Sequence, residues 1–254
     1  MGLPNFIIAG ETKCGTTSLY NMLTQHPNVL PAQKAGYNTV TEDGEDLAIK
    51  EVRFFDRYWA KGVRWYESCF PECPPGTITG EGTPMYLYRA QALQRMASVV
   101  PDAKIIIMLR NPVDRLVSHY HHLGRILPGW YERYPTMEYF WEEALEGDYY
   151  IIDKGIYWRS LEMLFSHFGR RQTYIMKSED MFSDPQDEYN KLLDFLKLDQ
   201  IILKDIPHSR KNTYNPINKE LHWRIGVFYA GYDYKLKELT GRRFGWKYFS
   251  QNQT

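Results

Sequence analysis

With 254 residues, 43% of them hydrophobic and 15% aromatic, the chain is long enough to bury one substantial core and sits at the upper end of single-domain size. Lys plus Arg and Asp plus Glu each number 31, so no global field draws the protein to nucleic acid or to an anionic membrane, and any anion site has to be local. The three cysteines, Cys14, Cys69 and Cys73, are too few for a disulfide framework, and Cys69 with Cys73 lacks the second pair that a four-ligand zinc site needs; three free thiols are expected, with a Cys69–Cys73 bridge as the alternative.

No run approaches the ~20 apolar residues of a membrane span, and the chain enters a strand pattern almost at once instead of a signal peptide. Phe6 to Gly10 is that strand, a short apolar run ending in glycine. Thr16 to Gln25 then carries Leu19, Met22 and Leu23 at helical spacing. Ala103 to Leu109 is a continuous apolar run of the kind buried in parallel sheets, and Pro112 to Leu123 reads as a helix with proline in its first turn. Thr173 to Met176 forms a third strand candidate, and Asp184 with Pro185 opens a helix running to Leu196. Alternating strands and helices predict one α/β domain over 1–254, a central parallel sheet flanked by helices with a P-loop-like strand-loop-helix site. Outside this core stand an acidic stretch, Gln33 to Asp46, and an aromatic one, Ile126 to Tyr150, whose rings are expected to pack on a core more than to line a cleft.

The loop Gly10 to Thr17 holds Lys13, Cys14, Gly15, Thr16 and Thr17 between the first strand and the first helix, where backbone N–H groups make an anion site. In the common nucleoside-triphosphate loop the lysine follows the second glycine; here Thr16 takes that place and Lys13 lies inside the loop. The 103–109 strand ends in Arg110, where an ATPase or GTPase would want a neighbouring strand to offer an acid for magnesium. Arg110 and Ser118 lie about two helical turns apart, a guanidinium and a hydroxyl suited to a second phosphate. Two anion sites imply a ligand with phosphates at both ends.

These residues resemble the sulfotransferases that use 3′-phosphoadenosine 5′-phosphosulfate (PAPS), above all the branch of heparan sulfate N- and O-sulfotransferases and their bacterial relatives. The likeness rests on Thr12 to Thr17, Lys50 to Asp56 with Lys61 to Tyr66, Pro101 to Ser118, Lys154 to Tyr157, Glu179 to Pro185 and Leu239 to Trp246, in family order. It implies a metal-free transfer of the sulfuryl group to a hydroxyl or amine of a glycan or small-molecule acceptor, leaving 3′,5′-adenosine bisphosphate. It implies that Lys13 to Thr17 hold the 5′-phosphosulfate end and that Arg110 and Ser118 hold the 3′-phosphate. Glu51 stands where the family has its base, and Lys13 would stabilise the leaving phosphate.

Further roles come from the same resemblance. Lys50 and Arg53 are expected at the acceptor, Arg53 replacing the histidine of many relatives. Glu81 matches a glutamate bordering the acceptor cleft, with Gly82 in place of the usual lysine. His122 occupies the position of a histidine that assists N-sulfating relatives, while His119 and His121 are expected to face solvent. Lys211, with Asn212 and Thr213, aligns with a donor-closing loop. The chain is expected in the cytoplasm, or in the Golgi lumen if it is the catalytic domain of a longer protein. Two other readings stay open at this level: a nucleotide-dependent kinase or NTPase, which would require magnesium, and a non-catalytic module binding sulfated or phosphorylated glycans.

Overall fold

The computed structural model describes residues 2–33, 50–147, 150–206 and 217–248. Five strands, β1 (Phe6–Gly10), β2 (Val29–Leu30), β3 (Ile78–Glu81), β4 (Lys104–Leu109) and β5 (Thr173–Lys177), form one sheet in the order β2-β3-β1-β4-β5. Every pairing is parallel, with Phe6 opposite both Gly80 and Lys104, and Ile105 opposite Thr173. The helices in chain order are α1 (Thr16–Leu23), α2 (Val63–Glu67), α3 (Ala90–Val99), α4 (Pro112–Ile126), α5 (Trp130–Arg133), α6 (Met137–Glu146), α7 (Tyr150–Asp153), α8 (Tyr157–Phe165), α9 (Ser178–Ser183), α10 (Pro185–Leu196) and α11 (Lys219–Thr240). The α/β class with a parallel sheet and flanking helices is therefore as the sequence predicts.

The described residues group into two compact units, one within Met1–Leu109 and Met163–Ser209, the other within Arg110–Glu162 and Arg210–Thr254. In the first, β1 and β4 are the strands whose sequences are apolar at nearly every position, and they occupy the middle of the sheet with Phe6 to Ala9 and Ile105 to Leu109 fully buried. Phe6, Ile8, Ile106 and Met108 share a core with Leu19, Tyr20 and Leu23 of α1 and with Tyr189, Leu192 and Leu193 of α10. Each such aliphatic side chain contributes roughly 1.5–3 kcal/mol by leaving water. Strands β1 and β3 approach so closely that a Cβ on Gly80 would lie 2.5 Å from the Phe6 carbonyl oxygen. Asp184 caps α10 through Oδ1, which accepts the Asp187 N–H at 3.2 Å, with Pro185 at the first helical position.

In the second unit, Asn111 caps α4 by accepting the Val113 N–H at 2.9 Å. The aromatic stretch divides: Phe140 and Trp141 are buried, and Tyr120, Trp130, Tyr134 and Phe140 form one ring cluster, whereas Tyr131 and Tyr139 are exposed. The buried α11 residue Tyr229 donates its hydroxyl to the Ile152 carbonyl at 2.9 Å, and its ring fills the space that a Cβ on Gly155 would need. Cys14 and Cys69 are buried and Cys73 is exposed, and no disulfide joins them, as against the alternative of a Cys69–Cys73 bridge.

Candidate active site

β1 stops at Gly10 and α1 starts at Thr16, so the loop between them sits at the carboxyl end of the central strand, where open α/β sheets take their ligands. Lys13 and Gly15 both adopt left-handed backbone, φ 70 and 91, and this folds the loop back on itself. Gly15 is required twice over, by that φ and because a Cβ would press on the Phe182 ring at 3.2 Å. Ser178 donates to the Cys14 carbonyl, and the Glu11 N–H donates to the Met108 carbonyl at 2.9 Å, so both β4 and the start of α9 brace the loop. The first turn of α1 carries no acidic side chain and Gly15 provides no side-chain cap, which leaves the positive end of the helix dipole facing the loop. These features fit an anionic phosphate group, with half-buried Lys13 adding a cation and Thr16 and Thr17 adding hydroxyls.

The segment carrying Lys50, Glu51 and Arg53 lies against the same loop. Lys50 is buried, and its ammonium donates to the Glu51 carboxylate at 3.1 Å, to the Gly82 carbonyl at 3.3 Å and to the Thr16 hydroxyl at 3.4 Å. One ammonium thus ties the candidate base to the candidate donor loop. Glu51 keeps about a quarter of its side chain open to solvent, 24%. Arg53 takes a left-handed φ of 59, and its guanidinium is paired in two-pronged fashion with the buried carboxylate of Asp56. Gly82, where relatives of the resemblance carry lysine, would place a Cβ 3.6 Å from the Lys50 stem, in ordinary contact.

Glu81, at the end of β3, is fully buried. Its Oε1 accepts the hydroxyls of Tyr66 (2.8 Å) and Tyr86 (3.0 Å); its Oε2 accepts the Thr83 hydroxyl (2.6 Å) and the Val52 N–H (3.1 Å). Burial raises its carboxyl from 4.5 to about 7 against the opposing pull of those hydrogen bonds. Burial likewise holds the Tyr66 and Tyr86 hydroxyls well above the ordinary tyrosine range.

The remaining candidates belong to the second unit. Arg110 is half-buried, and its carbonyl accepts the Tyr157 hydroxyl at 2.7 Å. Ser118 is buried on α4, and His122 is half-buried one turn further on, its ring 6.5 Å from that of His119. The expectation for His119 is corrected: it is 6% exposed, and the fully buried Arg115 one turn earlier on α4 reaches its Nδ1 at 3.2 Å. His121 is half-buried beside the Tyr131 hydroxyl, and burial lowers its basicity. Lys211, Asn212 and Thr213, and all but the first residue of the acidic stretch, lie outside the described residues. Among the described residues no cluster of three or more His, Cys, Asp or Glu is arranged to hold a metal ion, and no helix is long and apolar enough to cross a membrane.

Sequence reasoning gave no side-chain role to Tyr66, Thr83, Tyr86, Asp56 or Tyr157. Three of these stand inside the motif strings that carried the resemblance, but nothing in their spacing says which atom each would hold.

The chain matches the family model described as sulfotransferase domain over residues 3–219. It is 30% identical over 273 residues to heparan sulfate glucosamine 3-O-sulfotransferases 3B1 and 3A1 of Homo sapiens. Those alignments cover 96% of this chain but 65% and 62% of the relatives, so the chain spans less than two thirds of their length. Among solved structures, a sulfotransferase from Alicyclobacillus acidocaldarius is similar at a TM-score of 0.71 and 28% identity, covering 95% of this chain and 97% of that one.

Proposed function

The chain belongs to the sulfotransferase domain family, and from that premise we propose that it is an enzyme moving the sulfuryl group of PAPS to a hydroxyl or amine of a glycan or small-molecule acceptor. The observation that carries the reading is the Lys50 ammonium, which joins Glu51 to Thr16 of the anion loop. A binding module needs the loop but has no use for a carboxylate held beside it. Since the match at residues 3–219 runs through both compact units, we read 1–254 as one sulfotransferase domain.

In the mechanism, Lys13, Cys14, Gly15, Thr16 and Thr17 hold the 5′-phosphosulfate end, and Arg110 with Ser118 holds the 3′-phosphate through charge-assisted hydrogen bonds. By the resemblance alone, Lys211, with Asn212 or Thr213, is assigned to the 3′-phosphate or the sulfuryl group. PAPS supplies a sulfuryl group whose S–O bond to the 5′-phosphate breaks as the acceptor oxygen or nitrogen bonds to sulfur. Glu51 takes the acceptor's proton as its nucleophilic atom commits, and Lys13 meets the charge that grows on the departing phosphate oxygen. The resemblance assigns Lys50 and Arg53 to acceptor binding and His122 to assisting the acceptor chemistry. Fixing both phosphates supplies the alignment that in-line transfer requires.

Calorimetric titration with 3′,5′-adenosine bisphosphate, with and without a chelator, and with Mg²⁺-ATP tests the proposal. Tight, chelator-insensitive binding of the bisphosphate with weak ATP binding supports it. The reverse pattern overturns it in favour of a kinase or NTPase.

A further inference from the structure

Three backbone groups of the segment that carries Glu51 are held from one place. The Lys50 carbonyl accepts the Gly82 N–H at 2.9 Å, the Val52 N–H donates to Glu81 at 3.1 Å, and the Arg53 N–H donates to the Thr83 hydroxyl at 3.2 Å. Thr83 in turn donates that hydroxyl's proton to Glu81 at 2.6 Å, so two of the three attachments run through one carboxylate. Ordinary strand pairing would hold a segment with backbone alone. Here Arg53 turns into the left-handed region directly after Val52, which breaks a ladder, and the side chains of Glu81 and Thr83 take over.

The other oxygen of Glu81 anchors what lies beneath. Tyr66 and Tyr86 donate to Oε1; the Tyr66 ring stacks on Phe54 with centroids 4.6 Å apart, and the Phe55 N–H reaches the Tyr86 hydroxyl at 3.4 Å. Four donors on two carboxylate oxygens is an arrangement that an ionised acid satisfies and an amide does not, because an amide brings two donors of its own.

We infer that Glu81 is a positioning residue, which sets the backbone from Lys50 to Phe55 and through it the direction of the Glu51 carboxylate, and that it does not itself contact the acceptor. The inference rests on the proposed reaction only in its catalytic consequence; the backbone claim stands independently.

The test compares wild type, Glu81→Gln, Glu51→Gln and the double variant at pH 8, above the value near 7 to which burial raises the Glu81 carboxyl. In Glu81→Gln the Val52 and Arg53 amides should exchange with solvent at least roughly tenfold faster while those of β1 and β4 do not change. Bisphosphate affinity should stay within roughly twofold, and PAPS turnover with an acceptor should fall roughly 10- to 100-fold, the scale of a misplaced reacting group. The double variant should be no slower than Glu51→Gln alone, since Glu81 acts through Glu51. Unchanged Val52 exchange, or losses that multiply in full in the double variant, would overturn the inference. A wild type that neither binds the bisphosphate nor turns over PAPS would sink the proposed reaction, yet Val52 exchange would still decide the backbone claim. Should Glu81→Gln not fold, Thr83→Val, which removes the link to the Arg53 N–H, is read for Arg53 exchange and turnover in the same way.

Discussion

The ammonium of Lys50 stands 3.4 Å from the hydroxyl of Thr16, so the residue preceding Glu51 reaches the first helical position after the anion loop. Lys50→Met keeps the buried stem and removes only the charge. It should lower kcat/KM for the acceptor by roughly tenfold or more while the fold, followed by thermal melting, persists. Unchanged kcat/KM would confine Lys50 to packing.

Glu51→Gln should leave affinity for 3′,5′-adenosine bisphosphate nearly intact and lower turnover by roughly 10²-fold or more, the scale for loss of a general base. Calorimetry and initial rates separate the two effects. Near-normal turnover in the folded variant would take the role of base away from Glu51.

Arg110→Ala should act on the opposite quantity, weakening bisphosphate binding by ~1.5–3 kcal/mol through loss of a charge-assisted hydrogen bond. An unchanged dissociation constant would rule Arg110 out of the phosphate site.

Glu81 makes stability depend on pH with a definite sign. Its carboxyl stands at about 7 when folded and near 4.5 otherwise, so between those values the native protein holds the extra proton, and stability falls as pH rises through that window. The penalty is absent below pH 4.5, grows to on the order of 3 kcal/mol by pH 7 and stays constant above it. The neighbouring Tyr66 and Tyr86 remain neutral throughout. Melting of wild type and Glu81→Gln from pH 5 to pH 8 should show the wild type losing ground relative to the variant up to about pH 7 and levelling off above it. A constant difference across that range would contradict the assignment.

Gly80→Ala tests the sheet itself. Its Cβ would meet a backbone oxygen at 2.5 Å, which cannot swing aside as a side chain could, so β1 and β3 must separate. A loss of roughly 1–3 kcal/mol or more in chemical denaturation is expected, the scale of overpacking.

The middle of the sheet was legible because β1 and β4 are buried on both faces and therefore apolar throughout, and α10 announced itself through Asp184 and Pro185. Strand β3, with Gly80 and Glu81 among its four residues, could not be read that way. Its glycine answers a backbone contact, and its glutamate is buried by partners from elsewhere in the chain; neither leaves a periodic trace. The same limit applied to His119, whose burial depends on Arg115 one turn earlier on α4, a charged residue that spacing alone would turn toward water. For the candidate site, motif strings singled out Lys13, Lys50 and Glu51, but the attachment of the Val52 and Arg53 backbone to Glu81 and Thr83 exists only in three dimensions.

Strand β5 pairs with β4 along its whole length, from Ile105 opposite Thr173 to Leu109 opposite Lys177, although the chain makes α4 through α8 in between. On the ribosome, then, an apolar strand with one unpaired edge must wait while all of that chain is synthesised. An interrupted product ending before residue 173 would present this edge to any other extended chain, so truncation in this interval should yield aggregates where truncation after α10 need not.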